Sequence, residues 1–118
     1  MDQYSILYTT RTAIGLEPED SAFDEEIKAH INTTLAILKQ NGIGRGIVVT
    51  DESQTWEDFK DPLQIDGNEY FYMVPLYVFT KTKLVFDPPP PSNVAYYKDY
   101  TDEILWRLRA AYDVSEQG

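Results

Sequence analysis

EYFYMVPLYVFTKTKLVFDPPPP, residues 69–91, is the stretch the rest of the chain serves. Aromatic and aliphatic residues run from Tyr70 to Phe86, interrupted only by Thr80-Lys81-Thr82-Lys83. A segment this apolar has to be buried, since each Å² left in water costs about 25 cal/mol. It is therefore the central packing element. Asp87 and the prolines Pro88–Pro91 end it. Proline has no N–H to donate and its ring fixes φ, so neither a helix nor a ladder continues through them, and the chain must turn. Period alone does not choose between helix and strand, because nearly every face is apolar. Aromatic and β-branched residues favour strand; the length, with no turn dipeptide inside it, favours helix. The expectation is a core helix over 69–86, with Pro75 either starting its regular part or kinking it, and a rigid corner over 87–92.

Beyond the corner, Ser92 or Asn93 is expected to cap a helix over 93–112. Its apolar stripe is Tyr97, Tyr100, Ile104, Leu108 and Ala111, widened by Leu105 and Tyr112. Arg107 and Arg109 suit the negative end of its dipole. Residues 113–118 are polar and read as a flexible tail. On the other side of the core stretch, 42–68 reads as a loop region. Gly42, Gly44 and Gly46 flank the β-branched run up to Thr50, which suggests a short extended segment or a flexible loop. Thr55 with Asp58 three residues on predicts a capped short helix.

Residues 21–41 give the clearest element. Ser21 and Asp24 fit a capping box, and Asp24, Glu25 and Glu26 sit where the dipole favours acid. Phe23, Ile27, Ile31, Leu35 and Leu38 make one stripe, and Asn41-Gly42 closes it. Tyr4, Leu7, Tyr8, Arg11 and Ile14 predict a further helix over 1–15, stopped at Gly15. The fold class is thus mainly α. A single domain over 1–118 is expected, a small bundle of about four helices with a short extended or hairpin loop.

Ten basic residues against twenty acidic ones give a net charge of −10, which argues against a protein that grips nucleic acid by neutralising phosphates. There is no cysteine, hence no disulfide framework and no thiolate chemistry. No uninterrupted apolar run is long enough for a membrane span. The start MDQYSILYTTR lacks the basic-then-apolar order of a signal peptide, so assembly in the cytoplasm is the default.

Nothing in the pattern points to catalysis. His30 is the only histidine and has neither cysteine nor an obvious catalytic partner. The acidic pairs Asp24/Glu25 and Asp102/Glu103 sit at expected helix starts, where capping and the dipole explain them. Asp51, Glu52 and Asp58 do not have the spacing of a calcium loop. No catalytic or metal-ligating residue and no cofactor is assigned. The aromatics Tyr70, Phe71, Tyr72, Tyr77 and Phe79 read as core, because the stretch around them is almost chargeless. Trp106 reads equally as core or as an interface anchor.

Three segments resemble the head–tail connector (adaptor, or head-completion) family of long-tailed bacteriophages. DSAFDEEIKAHINTTLAILKQNGI, residues 20–43, is similar to the family's Asp-rich entry into a helix ending in Gly-Ile. Residues 77–89, from Tyr77-Val78 to Lys83-Leu84-Val85-Phe86-Asp87-Pro88-Pro89, resemble its Tyr-Val…Lys-x-x-Phe-Asp-Pro-Pro core. Glu103-Ile104-Leu105-Trp106-Arg107-Leu108 resembles its Glu-x-x-Trp-Arg-Leu ending. The likeness spans roughly residues 20–112, and the pair Phe-Asp-Pro-Pro and Trp-Arg-Leu is its most specific part. Pro75, Pro90 and Pro91 depart from the pattern.

The resemblance implies a structural, non-enzymatic subunit in a homo-oligomeric ring of about twelve copies. The ring would sit beneath the portal at the virion's head–tail interface. It would extend the DNA channel and receive a stopper or tail-completion protein. Around such a channel, −10 per subunit would sum to roughly −120, a wall that does not hold passing phosphates. Candidate partner contacts are Ile43, Arg45, Ile47 and Val49 in the glycine-flanked segment, Trp106 and Arg107, and Val114 and Glu116 in the tail. Phe86, Asp87, Pro88 and Pro89, with Trp106 and Arg107, form the structural motif. A different class remains open beside it: an acidic DNA mimic that inhibits a host nucleic-acid enzyme.

Overall fold

A computed structural model describes residues 4–113. They form helices α1 (Ile6–Ala13), α2 (Asp24–Gln40), α3 (Trp56–Phe59), α4 (Met73–Phe86) and α5 (Pro91–Tyr112), with a 3₁₀ turn at Gly67–Tyr70 before α4. The only extended pairing among the described residues is a single bridge between Ser5 and Thr55. The bundle is flat, 46 × 36 × 19 Å.

α4 is the helix the others pack on: α1, α2 and α5 all lie against it. Val74, Tyr77, Val78 and Thr82 are its fully enclosed positions. Pro75 stands at the start of the helix. It lies in the first turn, where the missing N–H would have had no partner in the helix. The core also takes Ile27, Ile31, Leu35 and Leu38 from α2 and Ile104, Leu108 and Tyr112 from α5. Gly42, at φ +84°, turns the chain after α2, and Gly15, at φ +98°, turns it after α1. The expected Thr55–Asp58 capping box is present in full.

The box expected at Ser21 is not formed. α2 starts after Phe23 with no side-chain cap, because the Asp24 carboxylate is taken by Arg11. That arginine, read from the sequence as part of an apolar stripe, is the largest fully buried side chain. Its Nη2 donates to Asp24 Oδ2 at 2.9 Å and its Nε to Oδ1 at 3.2 Å. Nη1 donates to the Pro18 carbonyl and lies 2.9 Å from Glu52 Oε2. Burial pushes the guanidinium pKa down, but the hydrogen bonds it donates to Asp24 and Glu52, with their negative charges, outweigh it, and the value is raised. One side chain thereby ties α1, the 15–23 connection, α2 and the 51–54 turn together.

α5 also departs from expectation. Neither Ser92 nor Asn93 caps it. Pro90 occupies the cap position and Pro91 is the first helical residue, where its fixed φ is already helical. The first half of α5 is largely exposed, and buried positions begin only at Thr101. Tyr100, placed on the apolar stripe, is 39% exposed. The proline corner therefore acts as a strut, from which α5 overhangs the bundle before it reaches α4.

Candidate partner-binding surfaces

The segment 43–50 is held down by hydrogen bonds to side chains and backbone outside it. The Asn32 side chain accepts from Val49 N at 2.8 Å and donates to Val49 O at 3.0 Å. Gln64 does the same for Gly44 N and Gly42 O, Lys28 donates to Thr50 O, and Arg45 N donates to Phe59 O. Two candidate contacts are corrected by this: Ile43 and Val49 are fully enclosed in the subunit's own core, so their side chains are not offered to a partner. Arg45 is exposed and Ile47 half-buried, while the neighbouring Val48 is 64% exposed. Gly44 shows why the segment packs so closely. A Cβ built there would stand 2.3 Å from the Phe59 ring.

Trp106 is 65% exposed, on the face of α5 opposite Ile104 and Leu108. Tyr70 and Tyr72, expected in the core, are 47% and 71% exposed and line the same groove of about 450 Å³, together with Met73, Arg107 and Ala110. The 3₁₀ turn at Gly67–Tyr70 rotates these rings out of the core. Gly67 lets the Tyr112 ring pack directly on that turn, since a Cβ there would stand 2.4 Å from the ring. On its other side Trp106 borders a second groove, of about 560 Å³, with Asn41, Gly42 and Arg109. Trp106 thus stands as a ridge between two depressions. Arg107 bonds Glu103 one turn back at 2.9 Å. A largely exposed pair of this kind is worth under about 1 kcal/mol, so it does not bar Arg107 from a partner.

The corner motif lies at the other end of α4. The Phe86 ring meets Phe23 edge-on, with centroids 5.3 Å apart. Asp87 caps α4 and pairs with Lys83 at 3.3 Å. Pro88 is exposed and Pro89 half-buried. Ile14, Leu16, Phe23 and Phe86 line a groove of about 580 Å³ there. Val114 and Glu116 lie outside the described residues.

Asp51, Glu52 and Asp58 are each engaged locally. Asp51 accepts from Ser53 N and Oγ, which lowers its pKa. Glu52 faces Arg11, and Asp58 closes the capping box.

A family model described as phage connector protein matches residues 6–115, nearly the whole chain. The chain belongs to the phage connector family. No curated protein and no solved structure matches it. The family is a structural one, which suits a connector chain whose exposed aromatic ridge, not an enclosed pocket, is its most distinctive surface. The role is that of a head–tail connector in a phage particle. No helix among the described residues is long and apolar enough to cross a membrane.

Proposed function

We propose that this connector acts as one subunit of a homo-oligomeric ring, of about twelve copies, seated under the portal at the head–tail interface. The ring lengthens the DNA channel and offers its far side to a stopper or tail-completion protein. It is assembled in the bacterial cytoplasm. The observation that carries this reading is the Trp106 ridge with Tyr70 and Tyr72. Large aromatics left in water on a bundle with a complete core mark a surface that another chain covers. The net charge of −10 supports a role beside DNA without gripping it. The proline strut supports a fixed angle between α4 and α5, as repeated packing into a closed ring requires.

The test is the mass in solution of the wild-type chain, alone and with portal present. A multiple of 13.6 kDa that closes as a ring is expected; a chain that stays single in both conditions refutes the reading. Trp106→Ala should leave the melting temperature within about 2 °C, because an exposed substitution rarely moves stability by more than about 0.5 kcal/mol. It should nonetheless lower the assembled fraction.

A further inference from the structure

Resting on the ring reading above, we infer that the contact between neighbouring subunits is head to tail. The Trp106 ridge of one copy enters the Phe23–Phe86 groove of the next. The two surfaces lie at opposite ends of α2. The ridge borders Asn41 and Gly42, just past its C-terminus. The groove is lined by Phe23 and Glu26, at its N-terminus. Seventeen residues separate those ends, about 25 Å of helix. A contact between two different patches repeats around a ring, whereas a patch that meets itself stops at a pair.

The shapes are complementary. One end projects an indole between two depressions, and the other presents a depression lined by Ile14, Leu16, Phe23 and Phe86 with Glu26, Lys83 and Asp87 beside them. Phe23, 44% exposed, is only partly covered by its own subunit.

The charges are complementary too. At the ridge, Arg107 is paired with Glu103, and Arg109 lines the groove beside Trp106 together with Asp113; the residues between those two acids, 104–112, hold only the two arginines as charges. The groove's own lining holds Glu26 and the paired Lys83 and Asp87, and the segment 16–26, which gives it Leu16, Phe23 and Glu26, holds six acids and no base. Asp24 and Glu25 pair with Arg11 and Lys28, and Glu26 lies 3.8 Å from His30 Nε2. Glu17, Glu19 and Asp20 make no ion pair among the described residues, and Arg109 makes none either. Opposite fields of this kind steer encounter and fix which face meets which. A second copy is the occupant because the chain carries both halves of the contact; a foreign partner would need only one.

The test uses two charge-reversed chains: Arg107→Glu with Arg109→Glu at the ridge, and Glu17→Lys with Glu26→Lys at the groove. Mass in solution is measured, with portal present if the wild type needs it. Each variant alone should fall to the 13.6 kDa of one subunit, since its two ends then carry the same sign. Mixed in equal amounts, the two should regain the wild-type mass, because every contact between unlike chains is again of opposite sign. Thermal melts monitor folding, and the milder pair Arg109→Glu and Glu17→Lys serves if a double variant unfolds.

If both variants assemble as the wild type does, or if two folded variants stay single when mixed, the head-to-tail contact is wrong while the ring stands. If only the ridge variant fails, and only in joining portal or tail, the ridge belongs to a foreign partner and the inference falls. If the wild type never assembles, the ring reading falls and this contact with it.

Discussion

Removing Asp24 should cost far more than removing Glu52, although both carboxylates face the same arginine. The Arg11 side chain is 1% exposed, Asp24 20% and Glu52 49%. Asp24→Ala leaves a guanidinium that water does not reach with three of its donated bonds unmade. Breaking one partner from a buried pair costs about 3–5 kcal/mol. The remaining bonds to Pro18 and Glu52 place the loss near the lower end, about 3 kcal/mol. For 118 residues the unfolding entropy is about 0.25 kcal/mol/K. The melting temperature should therefore drop by about 12 °C. Glu52→Ala removes a half-hydrated group, and solvent screening keeps its loss under about 1 kcal/mol, or about 4 °C. Arg11→Met should fall between them, since Asp24 is open enough to be rehydrated while a methionine fills the cavity. Thermal denaturation followed by circular dichroism reads all three. Equal shifts for Asp24→Ala and Glu52→Ala, or an Asp24→Ala shift under about 4 °C, would refute the placement of Arg11 as the subunit's internal tie.

Other substitutions probe the packing directly. Gly44→Ala combines a φ of +75° with a Cβ against the Phe59 ring. Left-handed strain and overpacking together should cost about 3 kcal/mol or more, visible as a lower denaturant midpoint. The Thr82 hydroxyl is buried with no hydrogen-bond partner among the described residues. Thr82→Val should raise stability by about 1 kcal/mol in the same assay. Burial pushes the Tyr112 phenol up to about 12. Its neutral form is the one the fold favours, so its contribution is complete below pH 10 and declines as pH rises from 10 towards 12. The loss is at most about 3 kcal/mol, at about 1.4 kcal/mol per tenfold change in proton affinity. Tyr77 is raised in the same sense, by burial and then by the charge of Asp102. Tyr112→Phe should flatten the stability profile above pH 10 and lose about 1 kcal/mol below it, with the bond to Asn68 Oδ1.

What the sequence carried legibly was the helical scaffold. The 69–91 stretch had no useful period, yet its length and its proline stop identified α4 and the corner. The stripe of α2 and the glycine turns were readable because period and left-handed φ are local properties. The failures came where tertiary contacts override local chemistry. Ser21 and Asp24 spell a capping box, but a carboxylate within reach of a buried guanidinium forms the stronger, charge-assisted bond. Arg11 was in plain view on the apolar side of α1 with Leu7 and Ile14, and an arginine there has to find an acid. Tyr70 and Tyr72 were lost to the core because a long apolar run gives no sign of where a 3₁₀ turn rotates it. Three glycines suggest freedom for 43–50, and that local signal hides the burial of Ile43 and Val49. The side chains of Asn32 and Gln64 that staple the segment lie 17 and 20 residues away in sequence. The exposure of Trp106 could have been read more firmly, as two helical residues past Ile104 is a rotation of about 200°.

The account rests on a chain that joins head to tail. Electron micrographs of particles made without it test this most directly. The connector role predicts DNA-filled heads and finished tails lying apart, rejoined when the wild-type chain is supplied. Normally tailed virions in its absence would contradict it.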